Sequence, residues 1–578
     1  MNVNEQQDEK TIARWELFAV LGATLIGFCL RLYQLGDIPQ GLWMDEGLMG
    51  QGVLGILDGS AWPILFYNSG LPEEPISYYL SAISVYLFGQ NTFAMRLPNA
   101  LFGTLSIPLV WLTARLFIGP KAAVIAALYF ATFRWHVHFS RLGFRTLLAP
   151  FFTLLIFWAF AKFWQQKRLL WACFAGVFLG ASLYTYTGMR TMVLGILVWF
   201  SVGVIIETIR LRRTTTPALN AEAKPADQLM PLKGLMAAVG FALLVFAPLG
   251  GHFLYNPEHF SSRQNDVTLF NEDGFQWELF RRHVRDVALM GAFRGDDEIK
   301  HNLPGSPSFV QSYLWHTNAD TEFEQWQALK QAGLPPDGAF TPDGRFDPNG
   351  FGHPVFDLLT GALFYLGLIL TMIKALRGSA MHWGLLIWLF AGSANSIFSQ
   401  GAPNQLRMLM VAPLACMMVG QALDWLLRAL PMWKNPLRDV LVLTLLWGWF
   451  SAGETYRYFH EWAPHPDVGR AFNRDFTEVA QWLQENAPND QPVIGPEFFV
   501  KFTSVDFLTR GIVSIKSDVE FADSTKGDRP KSGTWLLITN TQYFPPLQLE
   551  VPESTPLNLV KEFSHEGKFT WVAVYELP

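Results

Sequence analysis

The residues best suited to chemistry are two adjacent acids, Asp45 and Glu46, in the segment GLWMDEGLMGQGVLGIL. They follow the first long apolar run and open a helix-like stretch. A carboxylate beside an apolar surface has a raised pKa and can take a proton from a sugar or protein hydroxyl, as a general base does. The pair also suits plain structure. Asp45 would then cap a helix by accepting backbone N–H bonds, with Glu46 favoured in the first turn. The residues alone support both readings.

A base needs a substrate, and the arginines point to one. Arg96, Arg134, Arg141, Arg145, Arg190 and Arg407 fall on turns that the charge pattern of the chain would otherwise leave poor in basic residues. Arg141 and Arg145, in FSRLGFR, are spaced i, i+4. If the segment is helical they share a face and hold two oxygens of one phosphate. A single membrane arginine is explained by snorkelling to ordinary headgroups. Six on one side fit a lipid-linked phosphate whose reactive carbon lies at the membrane surface. Tyr184 and Tyr186 in LYTYTGMR, and Trp43 beside the acids, are either interfacial aromatic residues or sugar-stacking ones. Glu73 and Glu74 in SGLPEEPISYYL either line the same cavity or stand as solvated loop acids, and His353 in GFGHPVFDLL is a further cavity candidate.

The elements that must position these residues are membrane helices. Of 578 residues, 50% are hydrophobic and 16% charged, against about 25% charged in ordinary soluble domains. That composition excludes a typical soluble protein. Apolar runs long enough to span a bilayer lie at about 15–35, 97–117, 121–139, 146–164, 169–187, 191–209, 233–254, 355–373, 382–398, 408–427 and 437–453, giving about eleven transmembrane helices. The run Ile76 to Phe88 is too short to span and follows the breaker LPEEP, so it reads as a juxtamembrane or re-entrant helix.

With that helix left out, the cytoplasmic turns receive Arg115 and Lys121; Lys162, Lys167 and Arg168; Arg210, Arg212 and Arg213; Lys374 and Arg377; and Arg428, Lys434 and Arg438. This is the positive-inside pattern. The amino terminus is then inside, and residues 36–95, 255–354 and the tail 454–578 are outside. The chain divides into a membrane body, residues 1–453, and a C-terminal soluble domain, residues 454–578. In the tail, FTEVAQWLQENAP is helical while TWLLITN and FTWVAVYEL are strand-like, predicting a small α/β or α+β domain. The second outer loop carries an amphipathic stretch, FQWELFRRHVRDVALMGAF, and the turn-rich LPPDGAFTPDGRFDPNGFGHP.

Other classes lack their signatures. A net charge of −6 excludes a globally basic nucleic-acid binder. No phosphate-binding G-x-x-x-x-G-K-[ST] loop and no dinucleotide glycine fingerprint occurs. Cys29, Cys173 and Cys416 sit in apolar stretches and read as packing residues, and the external histidines are scattered, so no metal ligand set stands out. No cofactor is expected, and a divalent metal is left open.

The ordered set WMDEG, EPISYYLSAISVYLFG, FAMRLPNALFGTLSIPLVW, HFSRLGFR and LYTYTGMR resembles the GT-C glycosyltransferases that use polyprenyl-phosphate sugars, of the protein O-mannosyltransferase and lipid A aminoarabinose transferase type. The likeness covers about the first 210 residues and, more weakly, QGAPNQLRMLMVAP. It implies a GT-C-like fold and an inverting transfer at the outer surface of the cytoplasmic membrane. Asp45 matches the catalytic acid, Glu46 its companion, and Arg96 the arginine after the juxtamembrane helix. Where many relatives have His-Pro or Lys-Pro, this chain has Glu74-Pro75. The implied partners are a polyprenyl-phosphate sugar, a lipid, glycan or protein acceptor, and membrane lipids. A transporter or flippase of a lipid-linked sugar, which would favour internal repeats and polar residues at the midplane, is the alternative, and a noncatalytic assembly or receptor protein a third.

Overall fold

Each long apolar run folds as a helix, because in lipid only a helix satisfies its own backbone polar groups within one segment. The computed structural model describes residues 12–578 apart from 69–70, 215–229, 266–268, 272–273, 297, 299, 303–351, 400, 430–435, 489, 526–528, 541–545, 550–554 and 566–568. The turn-rich segment expected from residue 334 thus lies largely outside the described residues.

In chain order the first elements are α1 (Arg14–Leu32), α2 (Met44–Leu57), the hairpin β1 (Phe66–Asn68) and β2 (Leu71–Glu73), and α3 (Ile76–Phe88). Then follow α4 (Thr92–Ile118), α5 (Pro120–Thr132), α6 (Arg134–Ser140), α7 (Leu148–Gln166), α8 (Leu169–Ser182), α9 (Met189–Thr214) and α10 (Met230–Tyr255). The segment that follows holds α11 (Glu258–Asn265), the hairpin β3 (Phe270–Asn271) and β4 (Gly274–Phe275), and the amphipathic α12 (Trp277–Leu289). The body ends with α13 (Leu358–Leu376), α14 (Ala380–Ile397), α15 (Ala412–Ala429) and α16 (Pro436–Tyr456).

Among the described residues, seven helices are long and apolar enough to cross a membrane: α1, α4, α7, α9, α10, α13 and α15. The expectation of eleven spans is met by seven on those two measures. The segments expected at 121–139 and 169–187 fold as the shorter apolar helices α5 and α8, and those at 382–398 and 437–453 as α14 and α16, which are not among the seven. The first of these stops early because Phe133 is extended (φ −63°, ψ 109°) and a new helix starts at Arg134. The backbone N–H of Arg134, left without an intrahelical acceptor, donates to Glu454 at 3.0 Å. The short helix expected over Ile76 to Phe88 forms over those residues. The cysteines are all free, and Cys29 is exposed, facing away from the core instead of packing within it.

After a π-helical turn over Arg457–Trp462, the tail comprises α17 (Pro466–Ala471), α18 (Arg474–Asn486), β5 (Val493–Gly495), α19 (Glu497–Val500), α20 (Thr503–Thr509), β6 (Ile515–Ser517), α21 (Asp518–Thr525), β7 (Trp535–Thr539), β8 (Asn558–His565) and β9 (Phe569–Glu576). The sheet order is β6-β5-β7-β9-β8. Strand β5 pairs in parallel with β6 and β7, and β9 pairs antiparallel with β7 and β8.

Ile494 and Leu536 of this sheet pack with Leu577 within the tail, but a second cluster is shared. Met49, Val53 and Ile56 of α2, with Tyr78, Ala82 and Val85 of α3, share one buried apolar cluster with Val479, Leu483, Phe507, Leu537 and Val572 of the tail. Contact with α20 is close enough that a Cβ on Gly47 would meet Thr503 and Ser504 at 2.6 to 2.8 Å. The helix carrying the acid pair is therefore half of an interface with the tail.

Candidate active site

The two acids of α2 part company at once. Glu46 is fully buried, and its carboxylate takes two parallel bonds from Arg96, Nε to Oε1 and Nη2 to Oε2, both at 3.0 Å. The same carboxylate accepts the Trp43 N–H at 3.0 Å and the Gly143 N–H at 2.6 Å. Glu46 caps α2 by reaching back to the residue before the helix. Arg96 spends its remaining donors on backbone carbonyls, including Pro39 at 2.9 Å. Asp45 is half-buried in the first turn of α2, next to Met44, whose carbonyl accepts the Thr503 hydroxyl at 3.0 Å.

The FSRLGFR segment is not one helix, so Arg141 and Arg145 do not share a face. Helix α6 ends at Ser140, Arg141 lies in the turn that follows, and Arg145 opens a 3-10 turn. Arg141 donates to five carbonyls, those of Leu30, Arg31, Tyr33, Gln34 and Ile38, at 2.6 to 3.2 Å. It completes the C-terminal end of α1, where orphan carbonyls attract a cation. Asn99 holds the carbonyls of Leu142 and Phe144, and Glu46 holds the N–H of Gly143. Gly143 is needed there, since a Cβ would lie 2.9 Å from the Met95 carbonyl. This scaffold aims Arg145 at Glu73 and Glu74, which are buried with it, and the Nε–Oε2 separation to Glu74 is 3.8 Å. Thr187 donates to Glu74 at 2.6 Å and Tyr78 to Glu73 at 2.8 Å.

Trp43 is where the segment after α1, the loop between α10 and α13, and the tail meet. Its ring stacks on Phe144 at 5.1 Å, lies edge-on to Phe472 of the tail at 6.1 Å, and faces His301 at 6.5 Å. The Lys300 ammonium sits 5.7 Å over the same ring. Lys300 and His301 belong to the loop between α10 and α13, which is tied down at this point. Gly295 pairs with Gly352, Asn302 donates to the carbonyls of Asp296 and His353, and Arg134 bonds Asn302.

The fold of this assembly has relatives. It superposes on ArnT from Cupriavidus metallidurans, solved bound to undecaprenyl phosphate, with a TM-score of 0.53 and 13% identity over 97% of this chain and 98% of that one. Archaeal oligosaccharyltransferase AglB from Archaeoglobus fulgidus, in complex with an inhibitory peptide and a dolichol-phosphate, superposes with a TM-score of 0.51 and 14% identity, covering 87% of this chain and 64% of that one. The chain has the GT-C fold. Residues 72–219 match the dolichyl-phosphate-mannose-protein mannosyltransferase family. An undecaprenyl phosphate-alpha-4-amino-4-deoxy-L-arabinose arabinosyl transferase of Edwardsiella ictaluri is 34% identical over 165 residues, and the match spans 28% of each chain.

Elsewhere in this GT-C chain the expected site residues are drawn to protein partners. Arg190 bonds the Phe260 carbonyl and lies over the rings of Phe253 and Phe260. Arg407 donates to Ser399. Tyr184 donates to the Val245 carbonyl at 3.0 Å, latching α10, and Tyr186 packs against the main core. His353 is held by burial, with Arg134 and Arg457 nearby, at a pKa of about 3, so it is neutral at physiological pH. Among the described residues no group of three or more potential metal ligands converges. Asp296, Lys300 and His301, in GDDEIKHN, went unnoticed in the sequence. Their only signal was a charged run with a histidine in an outer loop.

Proposed function

We propose that the chain is a glycosyltransferase that moves a sugar from a polyprenyl-phosphate donor to an acceptor hydroxyl, with inversion, at the outer surface of the plasma membrane. The observation that carries this reading is that Asp45 stands half-buried in the first turn of α2, the helix that Trp43 precedes, while Glu46 is locked into the scaffold. In this role Asp45 takes the proton of the acceptor hydroxyl. The acceptor oxygen bonds the anomeric carbon as the bond from that carbon to the phosphate oxygen breaks, and polyprenyl phosphate departs with the electron pair. A phosphate is a good leaving group, so stabilising its charge can replace a general acid.

The same reading places the amino terminus in the cytoplasm and loops 36–95 and 255–354 outside with the tail 454–578. In its favour, residues from all three of these pieces meet at Trp43: Phe144 aside, its ring lies against Phe472 of the tail and His301 of the loop 255–354. The likeness to an undecaprenyl phosphate-linked arabinosyl transferase favours a lipid-phosphate donor. The acceptor is a lipid, a glycan or a protein.

The test is to incubate the purified full chain in detergent with a panel of polyprenyl-phosphate sugars and measure polyprenyl phosphate release. Release by the wild type and none by Asp45→Asn is expected. Near-normal release by Asp45→Asn would remove Asp45 from the reaction, and no release by any donor would overturn the transferase reading.

A further inference from the structure

We propose that the tail takes part in the transfer by fixing the backbone that carries Asp45, and that Thr477 and Thr503 are the positioning residues through which it does so. The inference deepens the transferase reading and rests on it.

A general base works only where it is held against its proton, and a misplacement of about 1 Å costs about 100-fold in rate. Asp45 stands in the first turn of a 14-residue helix, and the residues between α1 and that helix form turns and bends with no regular structure. The body holds this turn through Glu46, whose bonds go to Arg96 and Gly143. The backbone just before it is held by the tail.

Two tail helices reach that backbone. The buried Thr477 hydroxyl of α18 accepts the Leu42 N–H at 2.9 Å and donates to the Asn473 carbonyl at 3.0 Å, so it is itself oriented. The Thr503 hydroxyl, at the start of α20, donates to the Met44 carbonyl at 3.0 Å. Both bonds go to main-chain groups, three residues and one residue before Asp45. Val479 and Leu483 of α18 share an apolar cluster with Phe507 of α20, which sets the two hydroxyls at a fixed separation.

Glycines admit the tail this closely. A Cβ on Gly41, where φ is +90°, would meet the Phe472 carbonyl; one on Gly47 would meet Thr503 and Ser504, and one on Gly50 the Phe507 ring. Beyond them Gln51 donates to Asp506 at 2.7 Å. Apolar burial is non-directional and would let a helix slide. Hydrogen bonds weaken steeply with distance and angle, so bonds from two helices to residues 42 and 44 define where the next residue stands.

The test uses the purified full chain in detergent, with the polyprenyl-phosphate sugars of the release assay and amide hydrogen exchange as a second readout. Thr477→Val and Thr503→Val each delete one bond. Each should lower kcat about tenfold at an unchanged donor KM and speed exchange over residues 42–50, while exchange in β7 and β9 stays as in the wild type. Thr477→Ser and Thr503→Ser keep the hydroxyl and should restore both readouts. Thr503 is half-buried, so its variant serves if the buried Thr477→Val does not fold. A tail that only stabilises the chain would lower the melting temperature and leave kcat per folded molecule unchanged. Wild-type kcat in the folded valine variants, or unchanged exchange over residues 42–50, overturns this inference alone. A wild type that releases no polyprenyl phosphate overturns the transferase reading beneath it, and exchange then still decides whether the tail fixes the helix.

Discussion

Glu46 and Arg96 form a two-bond ion pair from which solvent is wholly excluded, and the same carboxylate pins the N–H groups of Trp43 and Gly143. Removing one partner of such a pair leaves a buried charge and costs about 3–5 kcal/mol. Arg96→Met and Glu46→Gln should therefore lower the melting temperature sharply or abolish recovery of folded protein. Asp45→Asn, one position away, should melt like the wild type. Equal melting of all three would mean that the pair does not anchor the loop.

Arg145 faces both Glu73 and Glu74, so its loss should strand two carboxylates in a buried place. Arg145→Met is expected to destabilise by several times the roughly 0–1 kcal/mol typical of a surface pair. Adding Glu74→Gln should recover part of that loss, which a double-mutant cycle on thermal unfolding would measure. If Arg145→Met instead melts normally and loses only donor affinity, Arg145 belongs to the substrate, as its sequence position suggested.

Gly47 should tolerate no side chain. Gly47→Ala puts a methyl within 3 Å of the Thr503 and Ser504 backbone, and overpacking of this kind costs about 1–3 kcal/mol. Limited proteolysis should then cut between residues 462 and 474 faster than in the wild type; an unchanged cleavage rate would show that the contact yields freely.

His353 gives the stability a dependence on acid. Its folded pKa of about 3 lies below the ordinary value of 6.5, so between these values the unfolded chain binds more protons. The contribution is complete above pH 6.5 and is lost as pH falls toward 3. Melting temperature should drop through this window, and His353→Gln should flatten the slope; identical slopes would show that other groups carry the effect.

Much of the body was legible because membrane helices announce themselves by run length and hydropathy, and even the 13-residue helix Ile76–Phe88 was visible between its breakers. The fates of the charged residues were not. Consecutive positions on a helix diverge by about 100°, so Asp45 and Glu46 look alike in sequence while one turns into the protein. Arg141 is spent on backbone carbonyls of residues 30 to 38, and carbonyls leave no mark in a sequence. Lys300 and His301 become meaningful only once a distant loop is laid against Trp43.

The apolar cluster common to α2 and the C-terminal sheet bears on how such chains can be recombined. A chimera that swaps residues 454–578 for those of a relative would set a foreign surface against Met49, Val53 and the two glycines, Gly47 and Gly50, that admit Thr503 and Phe507. The exchangeable unit is therefore discontinuous: the tail travels with residues 41–57, and inheritance of one without the other should leave the helix that carries Asp45 misplaced.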